Sequence, residues 1–211
     1  MLKGIEMKTV IVEKQVVVPN KVVCVGRNYV AHIHELGNEV PDEMVLFIKP
    51  NSAIAEELSS SHRCDELHYE AELSFLFRNG RFDAVAVGLD LTKRGVQSKL
   101  KEKGLPWERS KAFDGSALFS EFVPLPSEAL GELGLRLYID GEVIQEGNIS
   151  LMIYSPDVIL QEVQTFMTLN DGDIVMTGTP SGVGKVQAGS QFEAQVTAGE
   201  EVIVSTQWVA K

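Results

Sequence analysis

The chain has 211 residues, 44% of them apolar and 23% charged, the composition of an ordinary globule long enough to bury a core without a disulfide or zinc staple. Acids outnumber bases 30 to 19, a net charge of −11, which argues against a nucleic-acid or anionic-membrane partner because phosphate binding leans on an excess of Lys and Arg. A small anionic substrate stays open, since a few local cations can build a site inside an acidic shell.

From the amino end, Met1–Lys14 scatters its charges and has no continuous apolar region, so no signal peptide is expected. No apolar run approaches the roughly 20 residues that cross a bilayer. Thr9–Val18 and Lys21–Val25 are rich in Val and Ile and read as strands around the turn dipeptide Pro19-Asn20. Met44–Ile48 suits a short core strand. Thr92 to Lys103 reads as a helix with Gly104 as its C-cap. Leu135–Glu146 carries Asp140-Gly141, a type I′ hairpin signal. Ser155-Pro156-Asp157 offers an N-cap, an N1 proline and a first-turn acid. Apolar residues at 159, 160, 163, 166 and 167 then follow helical spacing until Asn170-Asp171-Gly172. Asp173–Thr177, Gln191–Val196 and Glu201–Trp208 complete the strands. Many short strands, few helices and no βαβ alternation predict an α+β, mostly β fold over 1–211 as one domain, with 1–20 as an N-terminal strand segment. The two cysteines lack metal-type spacing: Cys24 sits in an apolar run and Cys64 in a polar one, which fits a reduced, cytoplasmic setting.

Chemistry concentrates in four places. In His68–Phe75, strand alternation puts Tyr69, Ala71, Leu73 and Phe75 on one face and Glu70 and Glu72 on the other. That is either a solvated strand face or two carboxylates, about 7 Å apart along the strand, converging on a hard cation. Asp90 closes an apolar run before a helix, as a third carboxylate or as an acid favoured by the helix dipole. His32 and Glu35, three apart, share a helical face; a His held by a carboxylate is a competent general base, and an incidental surface pair is the alternative. Thr177–Gly184 packs three glycines and two threonines into eight residues, so its N–H groups can approach an anion closely. It lacks the Lys of a Walker A loop, and a tight turn is the alternative.

Taken in order, VGRNYVAHIHE (25–35), VLFIKP (45–50), HYEAEL (68–73), GLDLTKRGVQ (88–97), KGLPWERSKAFDGSA (103–117) and MTGTPSGVG (176–184) resemble the fumarylacetoacetate hydrolase family, in its small acylpyruvase and oxaloacetate-decarboxylase branch. The resemblance implies a β-roll of stacked mixed sheets, a homodimer, and one Mg²⁺ or Mn²⁺ per subunit on Glu70, Glu72 and Asp90. It implies His32, Glu35 and Lys111 as catalytic residues. It also implies Arg27, Lys49, Arg94, Gln97, Gly178 and Thr179 near a small anionic 2-oxo acid. Two features depart from the pattern. Gly95 stands where the family's LDLTxRD stretch has Asp, and Ser74–Asp90 spans seventeen residues where relatives carry about a dozen more, including a helix.

The activity implied first is acylpyruvate hydrolysis, C–C cleavage through an enolate stabilised by a Lewis-acid cation. Oxaloacetate decarboxylation and keto–enol tautomerisation pass through the same intermediate and are the alternatives. An isomerase or decarboxylase of unsaturated oxo-diacids in aromatic catabolism, and a non-catalytic metal-binding β protein, are the remaining ones.

Overall fold

Two strands at the centre of the protein, Ala71–Arg78 and Arg81–Asp90, are joined by Asn79-Gly80 alone. Both turn residues have positive φ, 53° and 80°, the geometry that matches the right-handed twist of a two-residue hairpin. The segment before Asp90 is short because the hairpin turns directly at Asn79-Gly80. The computed structural model describes residues 7–37, 39–125 and 130–211; residues 1–6 of the stretch read for a leader lie outside them.

The hairpin is the middle of a seven-stranded mixed sheet. One side of it carries Ala117–Phe119 and Val123–Pro124; the other carries Ile174–Met176, Lys21–Gly26 and Val45–Pro50 in that order. Ile174–Met176 and Lys21–Gly26 pair in parallel and the other pairs are antiparallel. A second, antiparallel sheet has the order Glu142–Asn148, Leu133–Ile139, Gln191–Ala198, Glu201–Val209. Its Asp140-Gly141 turn has φ of 52° and 89°, the expected hairpin.

The sheets stack through one core, in which Ala71, Leu73 and Phe75 meet Leu135, Leu137 and Phe192. A separate core on the far face of the large sheet packs Val22, Cys24, Leu76 and Met176 against Val10 and Val12. Each such Leu or Phe contributes roughly 1.5–3 kcal/mol by leaving water. The Ala71–Arg78 strand is therefore covered on both faces, and the face bearing Glu72 and Ser74 is buried rather than solvated. Carboxylates there need partners, because an unpaired buried charge is costly.

Three local expectations change. Thr9–Val18 is not one strand: Val10–Val12 and Gln15–Val17 form a hairpin across Glu13-Lys14, with φ of 48° and 65°. No glycine marks this turn; Phe122 O and Glu121 Oε1 accept the Glu13 and Lys14 N–H groups and hold it from another part of the chain. The later helix, Pro156–Phe166, is capped by Ser155 as expected but ends at Met167 in extended backbone, ahead of Asn170. The Thr92–Lys103 helix starts at Arg94, so Asp90 belongs to a strand end and does not cap it. Among the described residues no helix is long and apolar enough to cross a membrane.

We label the helices α1 (Val30–Glu35), α2 (Arg94–Glu102), α3 (Glu108–Lys111) and α4 (Pro156–Phe166).

Candidate functional site

Glu70 falls between two strands. His68–Tyr69 pairs with Gly184–Lys185, the Asp90 N–H donates to Glu70 O, and Ala71 begins the central strand. Asp90 ends the partner strand, opposite Ala117. This register brings Glu70, Glu72 and Asp90 together, with one carboxylate oxygen of each within 4.8 Å of the others. All three are buried.

Their partners differ. Glu70 Oε2 accepts from Lys111 Nζ at 2.8 Å, and Oε1 is bound by the Arg94 guanidinium. Asp90 Oδ2 accepts from Lys111 at 2.6 Å, and Oδ1 pairs with Lys49 at 2.8 Å. Among the described residues no cation contacts Glu72; its Oε2 accepts the Gly178 N–H at 2.7 Å. Burial alone would raise the Glu70 pKa, but Lys111 and then Arg94 outweigh it and hold the carboxyl well below its ordinary range. Burial, and then the neighbouring Asp90 and Glu70, push Glu72 well above that range. The carboxylates more than offset burial at Lys111 and keep its ammonium charged. Three oxygens of like charge around one point, with one member short of a counter-ion, suit a hard divalent cation such as Mg²⁺ or Mn²⁺.

His32 and Glu35 lie one turn apart on α1, with His32 Nδ1 3.2 Å from Glu35 Oε2. Glu35 Oε1 also accepts the Gly182 N–H at 2.9 Å. The glycine-rich segment does cradle anions, but they are the protein's own: Gly178 serves Glu72 and Gly182 serves Glu35. The Gly178 N–H, expected to face substrate, is thus already engaged. Thr179 lines the cleft, while its hydroxyl donates to Ala71 O and accepts from Gln145 Nε2.

His32, Glu70, Glu72, Asp90, Arg94, Gln97, Lys111 and Arg27 line one cleft, together with Phe47, Lys101 and Trp107. Arg94 reaches it from the first turn of α2, where it also donates to Gln97 Oε1 at 2.7 Å; Gly95 faces open space and does not displace it. Arg27 has left-handed backbone, φ 59°, next to Asn28. The Asn28 amide donates to the Tyr154 and Thr177 carbonyls and accepts from the Tyr154 N–H, a tie between three segments. Lys49 departs from expectation. It is fully buried behind Asp90, donating to the Lys111 carbonyl and to Ser116 Oγ at 3.1 Å, and does not reach the cleft. Although Lys49 stands in the edge strand, its side chain is buried, and it ends among the Asp90 carboxylate, the Lys111 carbonyl and the Ser116 hydroxyl instead of substrate.

Sequence reading missed Asn28, Lys101, Trp107 and Gln145. Lys101 had a usable signal, since 94, 97 and 101 share one helical face. Gln145 had none: it looks like an exposed hairpin residue, yet it is buried, accepting the Ala71 N–H at 2.9 Å and donating to Pro180 O at 2.9 Å.

Comparison with known proteins finds relatives over most of the chain. The family model described as fumarylacetoacetate (FAA) hydrolase C-terminal matches residues 21–206. The mitochondrial oxaloacetate tautomerase FAHD1 of Arabidopsis thaliana is 36% identical over 211 aligned residues, 93% of this chain and 95% of its own. The oxaloacetate tautomerase YcgM of Escherichia coli (strain K12) is 41% identical, covering 82% of this chain and 86% of its own. The crystal structure of fumarylpyruvate hydrolase from Pseudomonas aeruginosa in complex with Mn²⁺ and pyruvate superposes with a TM-score of 0.85 at 30% identity, over 100% of both chains.

Proposed function

This chain belongs to the fumarylacetoacetate hydrolase family, and from that premise we propose that it is a divalent-cation-dependent oxaloacetate tautomerase. The observation that carries the reading is a histidine oriented by a carboxylate, lining the same cleft as three clustered carboxylates and four cations. Glu70, Glu72 and Asp90 would hold the cation, by the donor chemistry described above. When bound, Mg²⁺ or Mn²⁺ supplies Lewis-acid stabilisation of an enolate.

The remaining residues bind, orient and move a proton. Arg94 and Lys111 offset the negative charge of the oxo acid, and Gln97 fixes the guanidinium. With Nδ1 engaged by Glu35, His32 keeps Nε2 for the proton that shuttles to and from C3. Tautomerisation needs only proton transfers at C3 and at the C2 oxygen, whereas acylpyruvate hydrolysis also needs an oriented water. The relatives named above favour tautomerisation over the hydrolysis that the motifs implied first. Hydrolysis is the second reading, supported by the likeness to the fumarylpyruvate hydrolase. Oxaloacetate decarboxylation would use the same enolate.

The test follows enol-oxaloacetate by ultraviolet absorbance with Mg²⁺ and with Mn²⁺, beside pyruvate release from oxaloacetate and from acetylpyruvate. Fastest turnover in the first assay is expected. Faster hydrolysis of acetylpyruvate would replace this reading with the second.

A further inference from the structure

On α2, Arg94, Gln97 and Lys101 follow i, i+3, i+7 spacing and all line the cleft. Arg94 is turned to Glu70 at the carboxylate end. Lys101 stands seven residues further, roughly 10 Å of helix rise. Arg27 also borders this stretch, in left-handed backbone beside the Asn28 tie. Beyond lies a recess formed by Val45, Leu105 and Trp107, and four residues line both cleft and recess: Arg27, Phe47, Lys101 and Trp107. The junction therefore holds two cations and two aromatic rings. The recess's acid, Glu108, is exposed.

Burial, and then the charges of Arg27 and Arg94, lower the Lys101 pKa below its ordinary value. Like charges crowded beside aromatic walls interact through a lower effective dielectric than water, and an anion placed between them relieves the repulsion. An oxo acid lying with its 2-oxo carboxylate at the Glu70 end would point its far end toward this junction.

We propose that Arg27 and Lys101 form a second carboxylate subsite that reads the distal acid group of an oxo-diacid. Through it the chain selects four-carbon or longer diacids over 2-oxo acids with a neutral tail. The inference rests on the oxo-acid reading above and deepens it from a reaction to a substrate class.

The test uses the cation-loaded protein and two ligands that differ only at the far end: L-malate, and 2-hydroxybutyrate, in which a methyl replaces the distal carboxylate. Calorimetry measures both for the wild type, Lys101→Met, Lys101→Arg and Arg27→Gln. A charge-assisted contact is worth enough that Lys101→Met and Arg27→Gln should each weaken malate about tenfold. They should leave 2-hydroxybutyrate binding unaltered, and Lys101→Arg, which keeps the charge, should restore malate. Equal wild-type affinity for the two ligands, or equal losses for both in the variants, would overturn the subsite. Deuterium exchange at C3 of oxaloacetate and 2-oxobutyrate separates the two claims. Malate selectivity with no exchange on either oxo acid removes the tautomerase reading and keeps the subsite. Exchange on oxaloacetate with an unaltered diacid preference in the variants removes the subsite and keeps the reading.

Discussion

The backbone N–H of Gly178 donates to Glu72 Oε2 at 2.7 Å, across 106 residues of chain. That bond ties the loop after Ile174–Met176 to the carboxylate cluster. It requires glycine: φ is +96°, and a Cβ would lie 2.8 Å from Asn28 Cβ and 3.2 Å from Val25 O. Gly178→Ala should cost about 2–5 kcal/mol from strain and overpacking. The measurement is the urea midpoint, which should fall at unchanged slope. An unchanged midpoint would mean that the loop relaxes without cost.

Glu72 adds a pH dependence to the cation-free protein, because burial and then Asp90 and Glu70 raise its pKa on folding. A carboxyl whose pKa is raised on folding binds its proton more tightly in the folded state, so its contribution is most favourable below the unfolded value. It weakens as pH rises from the ordinary carboxylate range through the raised folded value. Glu72→Gln removes the buried charge that causes this. The cation-free variant should therefore melt above the wild type at pH 8, with the gap closing toward pH 4.5.

Cation binding reverses the order. Mg²⁺ or Mn²⁺ at 100 times its dissociation constant should stabilise the wild type by about 2.7 kcal/mol, a rise of roughly 5–10 °C for a chain of this size. Glu72→Gln should lose most of that rise. Equal cation-dependent shifts in both proteins, read by thermal melting at pH 8, would remove Glu72 from the ligand set.

His32 and Glu35 predict a graded kinetic effect. His32→Ala should lower kcat for enol-oxaloacetate by at least about 10²-fold if Nε2 carries the C3 proton. Glu35→Gln keeps an acceptor for the Gly182 N–H but removes the charge facing Nδ1. It should lower kcat less than His32→Ala, because the imidazole keeps Nε2 and loses only the charged partner that orients it. An unchanged kcat for Glu35→Gln would reduce Glu35 to an anchor.

Lys49 separates a structural from a binding role. Removing one partner of a buried ion pair leaves the other uncompensated, so Lys49→Met should destabilise the protein by about 3–5 kcal/mol. Because Lys49 lies behind Asp90 and outside the cleft, KM should change little where activity survives. A rise in KM at unchanged stability would instead place Lys49 against substrate.

Much of this architecture was legible in the residues because it depends on local rules. The Asp140-Gly141 turn, the Ser155-Pro156 helix start, the Gly104 helix end and the spacing of His32 and Glu35 follow from backbone preferences acting over a few residues. The Glu13-Lys14 turn was not legible, because acceptors from Glu121 and Phe122 hold it and no local residue requires it.

The sequence by itself determined which residue types stand at which spacing: two glutamates on one strand face, an aspartate at the end of an apolar run, a histidine and a glutamate on one turn, glycines able to approach an anion. Only the tertiary structure decided which charges meet. Strand register brings Asp90 to Glu70, α3 delivers Lys111 between them, and Lys49 is drawn behind the cluster. The anion in the glycine cradle becomes Glu72, and Lys101 comes to the cleft that Arg27 also lines. The reason is physical: a hydrogen bond or ion pair depends on separations of a few ångströms between atoms that are 20 residues apart for Glu70 and Asp90 and 106 apart for Glu72 and Gly178, and only strand register and packing set those separations.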